Sequence, residues 1–212
     1  MNIPNLLTLL RIFFVPLIVA LLVQESVSLS IFHVQVSNEI LALGIFLTAA
    51  ATDMLDGYLA RRWGQITTVG TLLDPIADKL LISSALIALV QVHMVPAWVV
   101  ILVVGREFAV SGLRSIAASV GYTIRASELG KTKMVTQVAA VSLNLLAMRR
   151  PALKPWADLW MWCVAGFALL SAGDYFRKFW RAVDEGVKRR RRRELLRIER
   201  QRRRSLAARR AG

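Results

Sequence analysis

The 212-residue sequence is 56% hydrophobic and 20% charged, with a formal net charge of +14. An apolar excess of this size excludes an ordinary water-soluble domain, and the single cysteine, Cys163, excludes an intrachain disulfide and any multi-cysteine metal site. The charge is unevenly placed: Arg177 to Arg210 holds 16 basic and four acidic residues, so the basicity belongs to the C-terminal end.

A bilayer span needs about 20 mostly apolar residues, and six such stretches occur, at roughly 9–24, 40–60, 71–90, 95–118, 132–148 and 157–176. The expected fold is an all-α integral membrane protein of six transmembrane helices preceded by a short interfacial amphipathic helix. That first helix is read at Met1 to Arg11, where Asn5, Thr8 and Arg11 recur at a spacing of three and share one helical face. A segment this short and mixed suits the membrane surface; the plainer reading is a helix start capped by Asn or Thr. The stretch 9–24 lacks a basic leader and a small-residue cleavage site, so it reads as a retained helix, not a secretory signal. His33 and His93 stand alone in short connections, without ligand-spaced partners, and read as loop or interface residues. Cys163 reads as core packing.

Two domains follow: a six-helix membrane domain at 1–178 and a basic cytoplasmic tail at 179–212. Six spans put both termini on one side, and the tail assigns that side to the cytoplasm of a multi-pass inner-membrane protein. Arg61, Arg62, Arg125, Lys131 and Lys133 agree with this orientation, whereas Arg149, Arg150 and Lys154 would face outward. Just after a span, the tail is expected on anionic lipid headgroups. Nucleic acid is not the expected partner, since no aromatic residue follows Trp180 for base stacking.

The chemistry sits where the second stretch ends and the third begins. Asp53 and Asp56 are three apart and Asp74 and Asp78 four apart, so each pair shares a helical face, and the short connection between them makes the two helices antiparallel neighbours. Carboxylates inside membrane helices are costly and face a cavity or a partner. Four together repel unless cations neutralise them, and an all-oxygen set favours hard ions such as Mg²⁺ or Mn²⁺. Gly57, Ala60 and Gly70 leave room for a bulky group such as a nucleotide, and Arg61 offers a fork-shaped partner to a diphosphate. Three readings stand at this point: acids paired structurally with Arg61, Arg62 and Lys79, a cation channel or transporter, and a metal-dependent phosphoryl-transfer site.

The pattern Asp53-x2-Asp56-Gly57-x2-Ala60-Arg61-x8-Gly70-x3-Asp74-x3-Asp78 resembles the complete signature of the CDP-alcohol phosphatidyltransferases. Eight fixed residues over 26 positions make the match specific. The resemblance implies a six-helix membrane fold, a homodimer, and displacement of CMP from a CDP-linked lipid by an alcohol. It implies that Asp53, Asp56, Asp74 and Asp78 hold two metal ions, with Asp78 also the base that activates the hydroxyl. It further implies that Gly57, Ala60, Arg61, Thr67 and Gly70 surround the CDP group of CDP-diacylglycerol, with Asn5 and Thr8 in contact with its headgroup.

The signature does not fix the acceptor. The stretches Pro4 to Arg11, Gly105 to Arg114 and Gly130 to Gln137 resemble the branch of the family that takes glycerol 3-phosphate. An acceptor with its own phosphate needs cations, which Arg106, Arg114, Lys131 and Lys133 supply; Arg114, deepest in an apolar stretch, is the leading candidate. Arg106 has an alternative partner in Glu107, and the two lysines in the interface itself. The other acceptor considered within the family is phosphatidylglycerol, as in a cardiolipin synthase, and outside the family the alternative is a divalent-cation transporter.

Overall fold

The computed structural model describes residues 3–24, 29–31, 34–63, 68–119 and 129–211, with the side chains of 54–61, 129–132 and 185–211, among others, outside the described set. In chain order come α1 (Ile3–Val23), a hairpin of β1 (Leu29–Ile31) and β2 (Val34–Val36), α2 (Asn38–Trp63), α3 (Thr68–Gln91), α4 (Ala97–Ser119), α5 (Leu129–Arg149), a 3-10 turn (Pro151–Leu153) and α6 (Lys154–Ala211).

Each of the six apolar stretches falls on one of α1 to α6, overrunning it by two residues at most, at Gln24 and at Val95 and Pro96. Two details differ from expectation. The interfacial helix is not a separate element: α1 runs unbroken from Ile3, because Pro4 falls in the first turn, where its missing N–H is no loss. The chain is also not purely helical, since β1 and β2 pair antiparallel with Leu29 opposite Val36 and Ile31 opposite Val34. Those apolar residues alternate with Ser30 and Gln35, the period of a strand.

Two segments, Asn5–Val23 and Pro151–Arg181, are long and apolar enough to cross a membrane by length and composition. All six helices also turn large apolar side chains outward. Phe13, Leu47, Ile87, Ile101, Val135 and Leu170 are examples, the last 73% exposed. Cys163 belongs with this exposed set and not with the core, on a face of α6 that also carries Leu159 and Trp162.

The chain divides into two compact units, Met1–Phe108 with Ala126–Leu170, and Ala109–Arg125 with Ser171–Gly212. In the first, α1 packs on α2 and α3, and α5 on α2 and α3. Ala42, Ala49, Ala85 and Ala140 are fully buried and let the backbones approach, while Ile18, Phe46, Leu86 and Leu145 fill the spaces between.

One end of this unit is tied by polar contacts at helix termini. The Ser37 carbonyl accepts the N–H groups of Ile40 and Leu41, opening α2. Asn38 donates to the Gln24 carbonyl just past α1 at 3.0 Å, and Arg149 at the end of α5 donates to Ser37 Oγ at 2.8 Å. At the end of α3, His93 has φ 58°. Its N–H bonds to the Val90 carbonyl, and Met94 N–H reaches back to that of Leu89, which makes His93 the left-handed residue of a Schellman turn. A non-glycine residue there costs roughly 1 kcal/mol. His93→Gly is therefore expected to raise the thermal midpoint of the detergent-solubilised protein by a few degrees; an unchanged midpoint would mean that the side chain contributes as much as the turn loses.

Candidate active site

α1 presents Asn5, Thr8 and Arg11 on one face, as their spacing requires, but that face is turned inward. Thr8 is 1% exposed and Arg11 has no exposed surface. A buried guanidinium must be paired, and this one is. Arg11 Nη1 donates to Asp78 Oδ1 at 2.6 Å and stands 2.9 Å from Asp53 Oδ1. Thr8 Oγ1 donates to Asp74 Oδ1 at 2.6 Å.

One carboxylate from α2 and two from α3 are thereby gathered along one helix. Asp53 and Asp78 share a single nitrogen, which sets their oxygens side by side. The cluster is reachable from outside, because the Asp78 side chain is 34% exposed and that of Asp53 17%. The backbones of Asp56, Gly57, Ala60 and Arg61 continue α2 from Asp53, while their side chains lie outside the described residues. Thr67 lies outside altogether. Gly70 is buried in the first turn of α3, where a missing side chain keeps the backbone open to close approach.

Among the described residues no group of three or more His, Cys, Asp or Glu side chains closes on one point. The donor set still suits a hard divalent ion. It consists of carboxylate oxygens, and a cationic nitrogen, Arg11 Nη1, already occupies the place between Asp53 and Asp78.

A second polar cluster joins α4 to α5 within the same unit. Glu107 Oε1 accepts from Arg106 Nη1 at 3.1 Å and pairs with Lys133. Gln137 Nε2, on a residue 5% exposed, approaches the same oxygen at 3.5 Å. Arg106 and Lys133 are thus held together by one carboxylate. The side chain of Lys131 lies outside the described residues. Arg114 falls in the other unit, donating from Nη2 to the Tyr175 hydroxyl at 2.8 Å, with its guanidinium 5.6 Å from the centre of that ring.

The sequence alone gives three of these residues no site role. Arg11 was visible only as the third member of a polar face. Glu107 figured only as a rival partner for Arg106, and Tyr175 carried no signal.

Comparison with known proteins places these residues in context. The family model described as CDP-alcohol phosphatidyltransferase matches residues 1–170. The CDP-diacylglycerol--glycerol-3-phosphate 3-phosphatidyltransferase of Bacillus subtilis (strain 168) is 40% identical over 190 residues, 86% of this chain and 97% of the relative. The protein of the same name from Pseudomonas fluorescens is 38% identical over 192 residues, 85% of this chain and 91% of the relative. A protein of Mycobacterium tuberculosis (strain ATCC 25618 / H37Rv) named as a probable phosphatidylglycerophosphate synthase is 40% identical over 150 residues, 71% of this chain and 68% of the relative.

Proposed function

We propose a reaction for this chain from one premise, that it belongs to the CDP-alcohol phosphatidyltransferase family: it transfers the phosphatidyl group of CDP-diacylglycerol to the hydroxyl of glycerol 3-phosphate, giving phosphatidylglycerophosphate and CMP. The observation that carries the reading is the meeting of Asp53, Asp74 and Asp78 against Thr8 and Arg11. The names of its relatives supply the acceptor.

Members of this family are generally metal-dependent. Two Mg²⁺ or Mn²⁺ ions on Asp53, Asp56, Asp74 and Asp78 would supply charge neutralisation for the diphosphate and the departing CMP. The chain's own residues do the remaining work. Asp78, the more exposed of the two carboxylates paired with Arg11, takes the proton of the acceptor hydroxyl. The oxygen so released attacks the phosphorus that bears the diacylglycerol, and the bond from that phosphorus to the CMP oxygen breaks. Arg11 holds Asp53 and Asp78 in register for this step, while Gly57, Ala60, Arg61, Thr67 and Gly70 make room for and bind the CDP group. Asn5 and Thr8 lie at its headgroup end. Phosphoryl transfer is mostly positioning and charge stabilisation, so a carboxylate base suffices.

The acceptor phosphate is assigned to Arg106 and Lys133, with Lys131 and Arg114 as further cations. Lys133→Ala is expected to raise the Michaelis constant for glycerol 3-phosphate about tenfold, the worth of one charge-assisted hydrogen bond, while that for CDP-diacylglycerol stays within a factor of two. Steady-state kinetics with each substrate varied in turn would check this, and an unchanged acceptor constant would move the phosphate pocket elsewhere.

The outward apolar side chains on all six helices support a six-span, multi-pass enzyme of the inner membrane. Its active site and both termini face the cytoplasm, and it acts as a homodimer. By function residues 1–178 form the catalytic domain, and 179–212 a tail that docks on anionic lipid.

The deciding assay is CMP release from CDP-diacylglycerol by purified enzyme with Mg²⁺. Release on adding glycerol 3-phosphate is expected. Release only with phosphatidylglycerol would reassign the acceptor. Absence of release with any alcohol, together with divalent-cation flux in sealed vesicles, would replace the enzyme with a transporter.

A further inference from the structure

The three basic residues that dissent from the orientation, Arg149, Arg150 and Lys154, have no part in the proposed reaction. They fall close together in the chain where α5 gives way to α6, and the last of them, Lys154, lines a cavity of about 710 Å³. Its walls come from the end of α3 and the turn after it (Val90, His93, Met94), the start of α4 (Val99) and the first turns of α6 (Lys154, Asp158, Met161, Trp162). Val90 lies twelve residues beyond Asp78 on the same helix, about 18 Å at 1.5 Å per residue. The cavity is therefore separate from the aspartates, and on the six-span reading it lies at the opposite face of the membrane.

Its chemistry divides into two parts. Val99 and Met161 are buried apolar residues. Trp162 is more than half exposed, and its ring centre lies 5.2 Å from that of Trp98, an aromatic pair of the kind that marks the boundary between hydrocarbon and headgroups. At the polar end, Lys154 Nζ donates to the Met94 carbonyl at 2.8 Å and pairs with Asp158 one turn along. Those two acceptors fix the ammonium in place and use two of its three N–H donors. Among the described residues the third has no acceptor and is left for a ligand that accepts hydrogen bonds. His93, exposed on its left-handed turn, stands at the same rim, and Asp158, with Glu39 two residues past the Ser37 that Arg149 bonds, offsets two of the three charges of Arg149, Arg150 and Lys154. The net charge at this corner is positive, and the fitting ligand carries both an anion and apolar chains.

We propose that this cavity binds an anionic phospholipid of the leaflet opposite the aspartates, its phosphate at Lys154 and His93 and its acyl chains along Val99, Met161 and Trp162. A volume of this size holds a headgroup and the first part of the chains. The site also accounts for one basic residue on the side where the charge rule does not expect it, since Lys154 serves a lipid phosphate and not topology.

The test is native mass spectrometry of the full-length protein in detergent, offered equimolar phosphatidylglycerol and phosphatidylcholine with identical acyl chains. CMP, which has no acyl chains, is kept saturating so that the nucleotide part of the catalytic site is filled. Preferential retention of phosphatidylglycerol is expected, falling about tenfold in Lys154→Ala, the worth of one charge-assisted contact. Asp158→Asn, which frees the ammonium from its competitor, should retain more of the lipid than wild type, so the two variants move in opposite directions and a general loss of fold cannot imitate both. Equal retention of the two lipids, unaltered retention in Lys154→Ala, or weakened retention in Asp158→Asn would each overturn the site. So would displacement of the lipid by millimolar inorganic phosphate alone, which would make it a site for a free anion. CMP release by the Lys154 and Asp158 variants is expected at the wild-type rate; its absence in wild type would count against the proposed reaction and leave the lipid measurement standing.

Discussion

Asp78→Asn is expected to lower turnover by a factor of 10² to 10⁴, about the contribution of one positioned general base, while leaving the fold intact. The amide is nearly the same size and its oxygen can still accept from Arg11 Nη1, which bonds Asp78 Oδ1 at 2.6 Å. What it cannot do is take a proton from the acceptor hydroxyl. The measurement is CMP release at saturating Mg²⁺ and both substrates, with thermal unfolding as a check that the protein is folded. Retention of a tenth or more of wild-type turnover would remove Asp78 from the role of base. The same residue is a proposed ion ligand, so turnover is best followed over a series of Mg²⁺ concentrations. A deficit that closes as Mg²⁺ rises reports lost metal affinity, whereas one that stays constant reports the lost base.

Arg11→Ala should have the largest effect on stability. Arg11 is completely buried and serves two carboxylates from different helices, so its removal takes from Asp53 and Asp78 the guanidinium they share. Breaking a buried pair costs about 3–5 kcal/mol. Because Asp78 keeps a third of its surface exposed, the lower end, about 3 kcal/mol, applies, which amounts to a fall of roughly 10 °C in the unfolding midpoint for a chain of this size. The loss should be greatest in chelator and much smaller in millimolar Mg²⁺, because an ion at the aspartates supplies the missing positive charge. Equal midpoints for variant and wild type in chelator would show that the pairing contributes nothing. A loss that Mg²⁺ does not reduce would argue against an ion site between Asp53 and Asp78.

Much of this arrangement is legible in the sequence, because long apolar runs and a fixed spacing of acids are local properties. The stretches at 9–24 and 71–90 became α1 and α3 for that reason. What escaped was tertiary. The face formed by Asn5, Thr8 and Arg11 follows from their spacing, which points it to a headgroup. Nothing local says that its partners are carboxylates 66 and 67 residues away. Arg114 was favoured for the acceptor phosphate on its depth in an apolar run, yet it meets Tyr175, a pairing of α4 with α6 that no spacing reveals. The hairpin was missed although Leu29, Ile31, Val34 and Val36 alternate as strands do, because three-residue runs are too short to stand out from a loop. The tail's arginine blocks were read for their charge alone. Yet α6 continues through them to Ala211, since Arg, Leu, Ala and Glu are good helix formers and no Gly or Pro interrupts the chain between Val187 and Ala211.

The placement of Arg11 also dictates an order of biogenesis. During synthesis α1 leaves the ribosome first, carrying an arginine whose partner Asp78 lies 67 residues behind it. An unpaired arginine deep in a nascent helix costs about 2.5–3.5 kcal/mol on insertion scales, so the N-terminal turns of α1 are expected to wait at the bilayer surface. They can sink to their final depth only when the paired helices α2 and α3 arrive with Asp53 and Asp78. Arrested nascent chains ending shortly before Asp53 and well past Asp78 would then differ in the depth of Arg11, and the longer chain would be the first to carry it inside.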